Sequence, residues 1–446
     1  MMSLPELRAK VRSQQTRIPS LYGDIDVGLT PERFAGRMAD ESSLGRGQMG
    51  RRAELLLERE LIERMRAYTM LGDVVADAYA ALMPTYGYRI LVSMLEVACD
   101  RGVEEVSGAP EELVAFLRDM EHVPDWLDMK LVEQGARANR NAAANLGPVT
   151  MRGAFVSTFM NKYAALPMAL TGTLSNETAA RRIRETAAFF ATSVLPGALS
   201  RRGPGFKAAA MVRLMHSLVR FNALKRSGQW DVSVYGIPIP QLDQMPAGLI
   251  PVLLMSYRAL AKGRRKFTRA ERARVELARY RCYLLGLPQD LLADTPQGIV
   301  DVMEARAATL RDGYDDATCG GLLRATMAAY LQPDESIASR WRDRFERSFA
   351  TQFFIRGFLG GDVTEAQRMG LAFTAADRAR ALACAGCVGA RFAAYAVALW
   401  LPGLRKLADR ALVRKIERQL SAYGRAEFTT DAASYRPVNL ESARVA

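Results

Sequence analysis

Histidine is almost missing from this chain. Two imidazoles, His122 and His216, serve 446 residues, and that scarcity removes several chemistries at once. No HExxH motif is present, and a Ser-His-Asp triad would need one of the two histidines with no serine in a nucleophile elbow to match it. The five cysteines (Cys99, Cys282, Cys319, Cys384, Cys387) are odd in number and irregularly spaced, which excludes a disulfide framework. Cys384-Ala-Gly-Cys387 is a solitary CxxC, and a zinc site would need two further ligands. These cysteines read as reduced thiols, small and buried on a helix. There is no phosphate-binding glycine loop, no dinucleotide fingerprint, no strand-like alternation and no internal repeat. The opening Met-Met-Ser-Leu-Pro-Glu-Leu-Arg lacks the apolar core of a secretory leader, so the expected location is cytoplasmic.

What is plentiful is apolar surface and positive charge. Hydrophobic residues make up 49% of the chain, enough for a large core, and 61 basic residues against 48 acidic ones leave a net charge of +13. Nucleic acid, an anionic membrane or an acidic cofactor would each suit that charge. The arginines are spread over amphipathic helices, as in Arg181, Arg182 and Arg184 or Arg264, Arg265, Arg269, Arg272 and Arg274. That pattern describes solvated helix faces, and nucleic acid is not an expected partner.

In order, the chain reads as helices throughout. Residues 1–30 are expected to form an irregular N-terminal arm, after which Thr30-Pro31-Glu32 reads as a helix start. Apolar residues at helical spacing follow in 51–68, and Gly72-Asp73 breaks the run before 74–83 resumes it. His122, at a helix junction, reads as a surface or capping residue. Residues 150–173 read as a core helix wall, in which Lys162 and Pro167 argue against a membrane span. Proline-rich Tyr235–Asp243 reads as an extended surface loop, and Thr268-Arg-Ala-Glu271 as a capping box. The apolar stretch 381–401, carrying Arg391, is expected to be a buried helix followed by a basic amphipathic one with Arg405, Lys406, Arg410, Arg414 and Lys415. Peripheral contact with an anionic membrane through that basic helix is a secondary expectation. The fold class is all-α, one large domain over 31–423, with a loosely held tail at 424–446.

The segment Met211-Val-Arg-Leu-Met-His-Ser-Leu-Val-Arg220 stands apart. His216 has Arg213 one turn before it and Arg220 one turn after it, with Ala209, Val212, Val219 and Ala223 on the same helical face. The small residues leave room for a planar ligand, and the arginines could meet carboxylates at its edge. The plain alternative is a satisfied helix histidine among common arginines.

This segment resembles the haem-ligand helix of the latex clearing proteins, the bacterial rubber oxygenases, and of the wider group with the fungal mycophenolic-acid pathway oxygenases. Gly72-Asp-Val-Val-Ala-Asp77, Val123-Pro-Asp-Trp126, Glu185-Thr-Ala-Ala-Phe189, Gly236-Ile-Pro-Ile-Pro-Gln-Leu-Asp243 and Leu285-Gly-Leu-Pro288 occur in the order that group shows. Together they cover roughly residues 60–310.

The resemblance implies a non-covalent haem b inside a globin-like helical core. His216 would be the proximal iron ligand, and Arg213 and Arg220 would pair with propionates or brace the ligand helix. On the distal side the family's arginine and threonine correspond to Arg182 and Thr186, while the position of its iron-capping lysine holds Glu185. A carboxylate there either handles protons or pairs with Arg182 one turn away; Lys162 is a reserve distal lysine. The family's catalytic glutamate has no counterpart in 150–173. The implied activity is therefore a haem-dependent oxygenase using dioxygen on a small apolar, unsaturated substrate, isoprenoid or lipid-like, in place of rubber. A peroxidase, peroxygenase or gas-binding haem protein using Glu185, and a non-enzymatic basic helical binding protein, are the competing expectations.

Overall fold

The computed structural model describes residues 2–171 and 175–424, and they are helical from end to end. No strand forms among them, only two isolated bridges, Phe34 with Leu310 and Ser42 with Arg311. The expected tail at 424–446 lies, beyond Gly424, outside the described residues.

The helices gather into two compact units. One is built from residues 2–135 and 199–313, the other from 136–171, 175–198 and 314–424. The first crossing, after Gly135, falls inside the Met129–Asn145 helix and leaves no mark in composition, whereas the second, after Ala198, lies in the glycine- and proline-rich stretch 196–205.

In the first unit the N-terminal arm proves to be a helix, Leu4–Arg17. Ser3 and Glu6 close a capping box at its start, and Leu7, Val11 and Gln14 are buried. Gln14 explains why this segment is ordered: its amide donates to the Met70 carbonyl at 2.9 Å and accepts from Gly72 N at 2.8 Å. The helix expected from Thr30-Pro31-Glu32 does not form. There the Glu32, Arg33 and Ala35 amides donate to the carbonyls of Ser233, Val234 and Thr309, and long-range partners replace the local helical ones. The centre of this unit is the Pro204–Lys225 helix, with proline at its first turn and fourteen buried residues. The Val74–Ala80, Tyr88–Asp100 and Arg269–Leu284 helices pack against it.

The second unit has its own core. Val156, Leu323, Met327, Phe354 and Ile355 pack together, and Ala179, Ala180 and Ile183 of the Asn176–Thr192 helix meet Ala325 and Ala329. Through the middle runs Arg152, fully buried, held by Glu346 at 2.7 Å and by the carbonyls of Thr326, Met327 and Ala329. The helix Ala375–Trp400 was expected to be buried and is not: only Ala381 and Val388 are. It lies against one face of the Ile337–Phe358 helix and presents its remaining circumference outward. Cys384 and Cys387 on it are half-buried and exposed, not core thiols. Among the described residues this is the one helix long and apolar enough to cross a membrane.

Candidate functional site

His216 sits midway along the Pro204–Lys225 helix, half-buried, with its Nδ1 3.2 Å from Gln244 Oε1. Gln244 in turn donates its amide nitrogen to Gln241 Oε1 at 3.1 Å. That second bond fixes the direction of the first. Gln244 has only its oxygen to offer the ring, so Nδ1 is the donor of this bond, and in the neutral imidazole the electron pair then falls on Nε2. A histidine that ligates a metal through one nitrogen characteristically donates the other to such a partner.

The segment bearing these glutamines is itself anchored. Asp243 accepts from Arg33 at 2.7 and 2.8 Å and from Arg306 at 2.9 Å. Burial pushes its carboxyl up, but the two guanidiniums outweigh burial and hold it below the ordinary carboxylate value. The expected surface loop is thus an interior one, with Ile237 and Gln241 buried. The reason lies in its carbonyls: those of Pro238 and Ile239 accept from Arg220 at 2.9 and 2.6 Å.

Arg213 and Arg220 brace the helix. Arg213 makes paired bonds to Asp73 at 2.5 and 2.9 Å and a third contact to Asp119 at 2.7 Å. Arg220, fully buried, pairs with Asp77, whose other oxygen accepts from the Tyr22 hydroxyl at 2.6 Å. Asp73 and Asp77 are four apart and Arg213 and Arg220 seven apart, so each pair lines one helix face and the two faces meet as a ladder. Burial raises both carboxyls. At Asp73 the attraction of Arg213 prevails and the group ends below its ordinary value; at Asp77 burial prevails over Arg220 and the group ends above it.

Two glycines make room for this ladder. A Cβ on Gly72 would stand 2.1 Å from the Tyr22 hydroxyl and 2.5 Å from Asp77 Oδ2. Gly286 has φ +87°, and a Cβ there would stand 2.4 Å from Asp73 Oδ2 and 2.7 Å from Arg213 Nε. Three of the five sequence motifs, those of Gly72–Asp77, Gly236–Asp243 and Leu285–Pro288, therefore converge on the Pro204–Lys225 helix. In a fourth, Trp126 lies under the Arg279 guanidinium at 4.0 Å. Nearby, exposed His122 caps the Glu111–Glu121 helix and meets the Tyr283 hydroxyl at 2.9 Å, as a surface histidine should.

Arg182, Glu185 and Thr186 belong to the other unit, on the Asn176–Thr192 helix. Arg182 and Glu185 are buried and joined at 2.9 Å, and Thr186 is half-buried on the same face. The expected Arg182–Glu185 contact one turn apart is therefore present. Lys162, at the start of Lys162–Leu170, has its ammonium 5.0 Å from the Tyr163 ring centroid. Among the described residues no three His, Cys, Asp or Glu side chains converge on a point; the donor set offers one oriented imidazole. Gln244 and Gln241 were missed from sequence, although Gln241 lies inside a quoted motif.

An all-helical protein whose central helix carries a single imidazole with its proton fixed on Nδ1 is the class these features define. The chain belongs to the family described as ER-bound oxygenase mpaB/B'/Rubber oxygenase, catalytic domain, whose sequence model matches residues 142–394. It is thus a member of an oxygenase, and so oxidoreductase, family. The match begins later and ends later than the span of 60–310 marked by the motifs; Gly72–Asp77 and Val123–Trp126 precede it. A solved structure titled "Structure of Latex Clearing Protein LCP in the closed state" shares the fold, with a TM-score of 0.54 at 16% identity, covering 79% of this chain and 91% of that one. No curated protein matches.

Proposed function

We propose that this chain is a haem b-dependent oxygenase acting with dioxygen on a small apolar, unsaturated substrate of isoprenoid or lipid-like character. The observation that carries the reading is the relay His216–Gln244–Gln241, which places the imidazole electron pair on Nε2 in a chain belonging to an oxygenase family. His216 would hold the iron. Haem, when bound, would supply the redox-active metal that oxygen chemistry on a carbon–carbon double bond requires.

The protein's own share is positional. Gln244 holds the ring, and the Arg213–Asp73 and Arg220–Asp77 pairs hold the helix that carries it. With both guanidiniums committed to carboxylates of the protein, their role here is bracing in preference to propionate binding. By the family resemblance Arg182, Glu185 and Thr186 are the distal candidates, and within their own unit Glu185 would orient the Arg182 guanidinium.

The test is optical. Protein produced with adequate haem is expected to show a Soret band that His216→Ala loses while keeping its helical circular dichroism. A wild-type protein without that band, or a variant holding stoichiometric haem, overturns the reading. Product analysis with dioxygen against peroxide separates an oxygenase from a peroxidase or peroxygenase.

A further inference from the structure

The last two described helices, Ala375–Trp400 and Pro402–Tyr423, form a hairpin in the second unit. Its inner side is secured. Ala381 and Val388 are buried, Arg380 bonds Asp377 at 2.5 Å and Ser348 at 3.1 Å, and Asn141 donates to the Phe392 carbonyl at 3.0 Å. On the second helix Ala408, Leu412 and Ile416 are buried, Asp409 pairs with Arg140 at 2.8 Å, and Gln419 donates to the Ala144 carbonyl at 2.8 Å.

The outer side is arranged quite differently. Around the bend at Leu401-Pro-Gly403 stand four large apolar side chains: Val397 (58% exposed), Trp400 (81%), Leu404 (47%) and Leu407 (59%). All four lie within two helical turns of the bend. Arg405, Lys406 and Arg410 are exposed directly beside them, with Arg414 and Arg418 following along the second helix. Arg410 and Arg414 also line a groove with Pro196, Val413 and Asp409, the last already committed to Arg140. Among the exposed residues of the Pro402–Tyr423 helix, Glu417 is the single acid. An apolar tip collared by cations is the composition of a segment that rests in the headgroup layer of a membrane.

We propose that this hairpin is a monotopic membrane anchor, inserting Val397, Trp400, Leu404 and Leu407 into an anionic bilayer while Arg405, Lys406 and Arg410 contact lipid phosphates. The first helix does not cross the bilayer despite its length. It is bonded along its inner side to the rest of its unit, and Arg391 is exposed at its middle. A second copy of the chain is the less suitable occupant, since a two-fold interface on this patch would set one cationic collar against another. The inference does not depend on what His216 binds.

Sedimentation of the full chain with vesicles tests it, using phosphatidylcholine alone and phosphatidylcholine mixed with phosphatidylglycerol. The chain is expected to partition onto the mixed vesicles and to be released by salt. Joint replacement Arg405→Ala, Lys406→Ala and Arg410→Ala is expected to lower partitioning on the order of a hundredfold, at about fivefold per charge. Joint replacement Trp400→Ala and Leu407→Ala should lower it at least about tenfold. All five side chains are exposed, so these variants should fold, and circular dichroism verifies it. No partitioning of the wild type at low salt, or equal partitioning of the variants, overturns the proposal. So does a concentration-dependent dimer abolished by the same substitutions without vesicle binding, which would assign the patch to a second copy.

Discussion

Nδ1 of His216 lies 3.2 Å from Oε1 of Gln244, a residue 28 positions further along the chain. The contact ties the one imidazole on the central helix to a segment that two arginines hold through Asp243. Replacing Gln244 by Leu removes the acceptor while leaving the helix intact. Under the proposed function, haem affinity is expected to fall by about ten- to a hundredfold, the usual cost of losing such a partner, with helical circular dichroism unchanged. Gln244→Glu puts a carboxylate in the same place and should make the ring a stronger donor, moving the haem reduction potential to more negative values. Haem titration and potentiometry read the two effects.

Arg220 and Asp77 are both fully buried. Arg220→Met alone leaves the Asp77 carboxylate and the Pro238 and Ile239 carbonyls without their cation, and the expected loss is about 3–5 kcal/mol. Adding Asp77→Leu removes the stranded charge and is expected to restore a good part of that loss. Urea denaturation of the two variants checks the order, and equal stability of the single and double variants would contradict the ladder.

Gly286 offers a steric test. Alanine there meets both a positive φ and the Asp73–Arg213 pair, so Gly286→Ala is expected to destabilise by more than about 1 kcal/mol. Gly263, also at positive φ but with open space around it, is the control. Gly263→Ala carries the backbone strain without the collision, and its urea midpoint should fall less.

Acid should loosen the first unit. The carboxyls of Asp73 and Asp243 have folded-state values below their ordinary one, set by Arg213 and by Arg33 with Arg306 against the cost of burial. A depressed carboxyl contributes stability that is present above its unfolded value, about 3.9, and is lost as pH falls through the folded one. Unfolding free energy is thus expected to decline below about pH 4. In Asp243→Asn the overall stability should be lower and the decline shallower, measured by denaturant titration across that range.

The helical class was legible because period and capping are local properties. The Thr268–Glu271 box formed as read, and His122 proved exposed at a helix end. The first helix carried the same signal, Ser3 three residues before Glu6, beneath a segment that looked irregular. Tertiary partners overrode local signals elsewhere. Pro31 could not start a helix because the amides after it are claimed by residues two hundred positions away. The proline-rich loop is interior because Arg220 takes its carbonyls. Ile239 is held there at φ 46°, the one positive value for a non-glycine among the described residues, a strained geometry for a β-branched side chain. At the candidate site, residue types and order single out His216, and the structure adds Gln244 beside it. Asp73 and Asp77 as partners of Arg213 and Arg220 could not be read, since a helical face shows which side chains align but not what stands opposite.

The division of the chain has a consequence for its synthesis. Val156 in the second unit packs with Leu323, Phe354 and Ile355, and Arg152 waits for Glu346, 194 residues later. Residues 199–313, which lie between, complete the other unit. On the ribosome the first unit can therefore close its core while the early part of the second still shows its apolar faces to water. At roughly 5–20 residues per second that interval is on the order of ten seconds or more. Helper proteins that shield nascent chains would find their target in residues 147–171 and 177–192, and slowing translation downstream of residue 313 should increase aggregation more than slowing it upstream of residue 135.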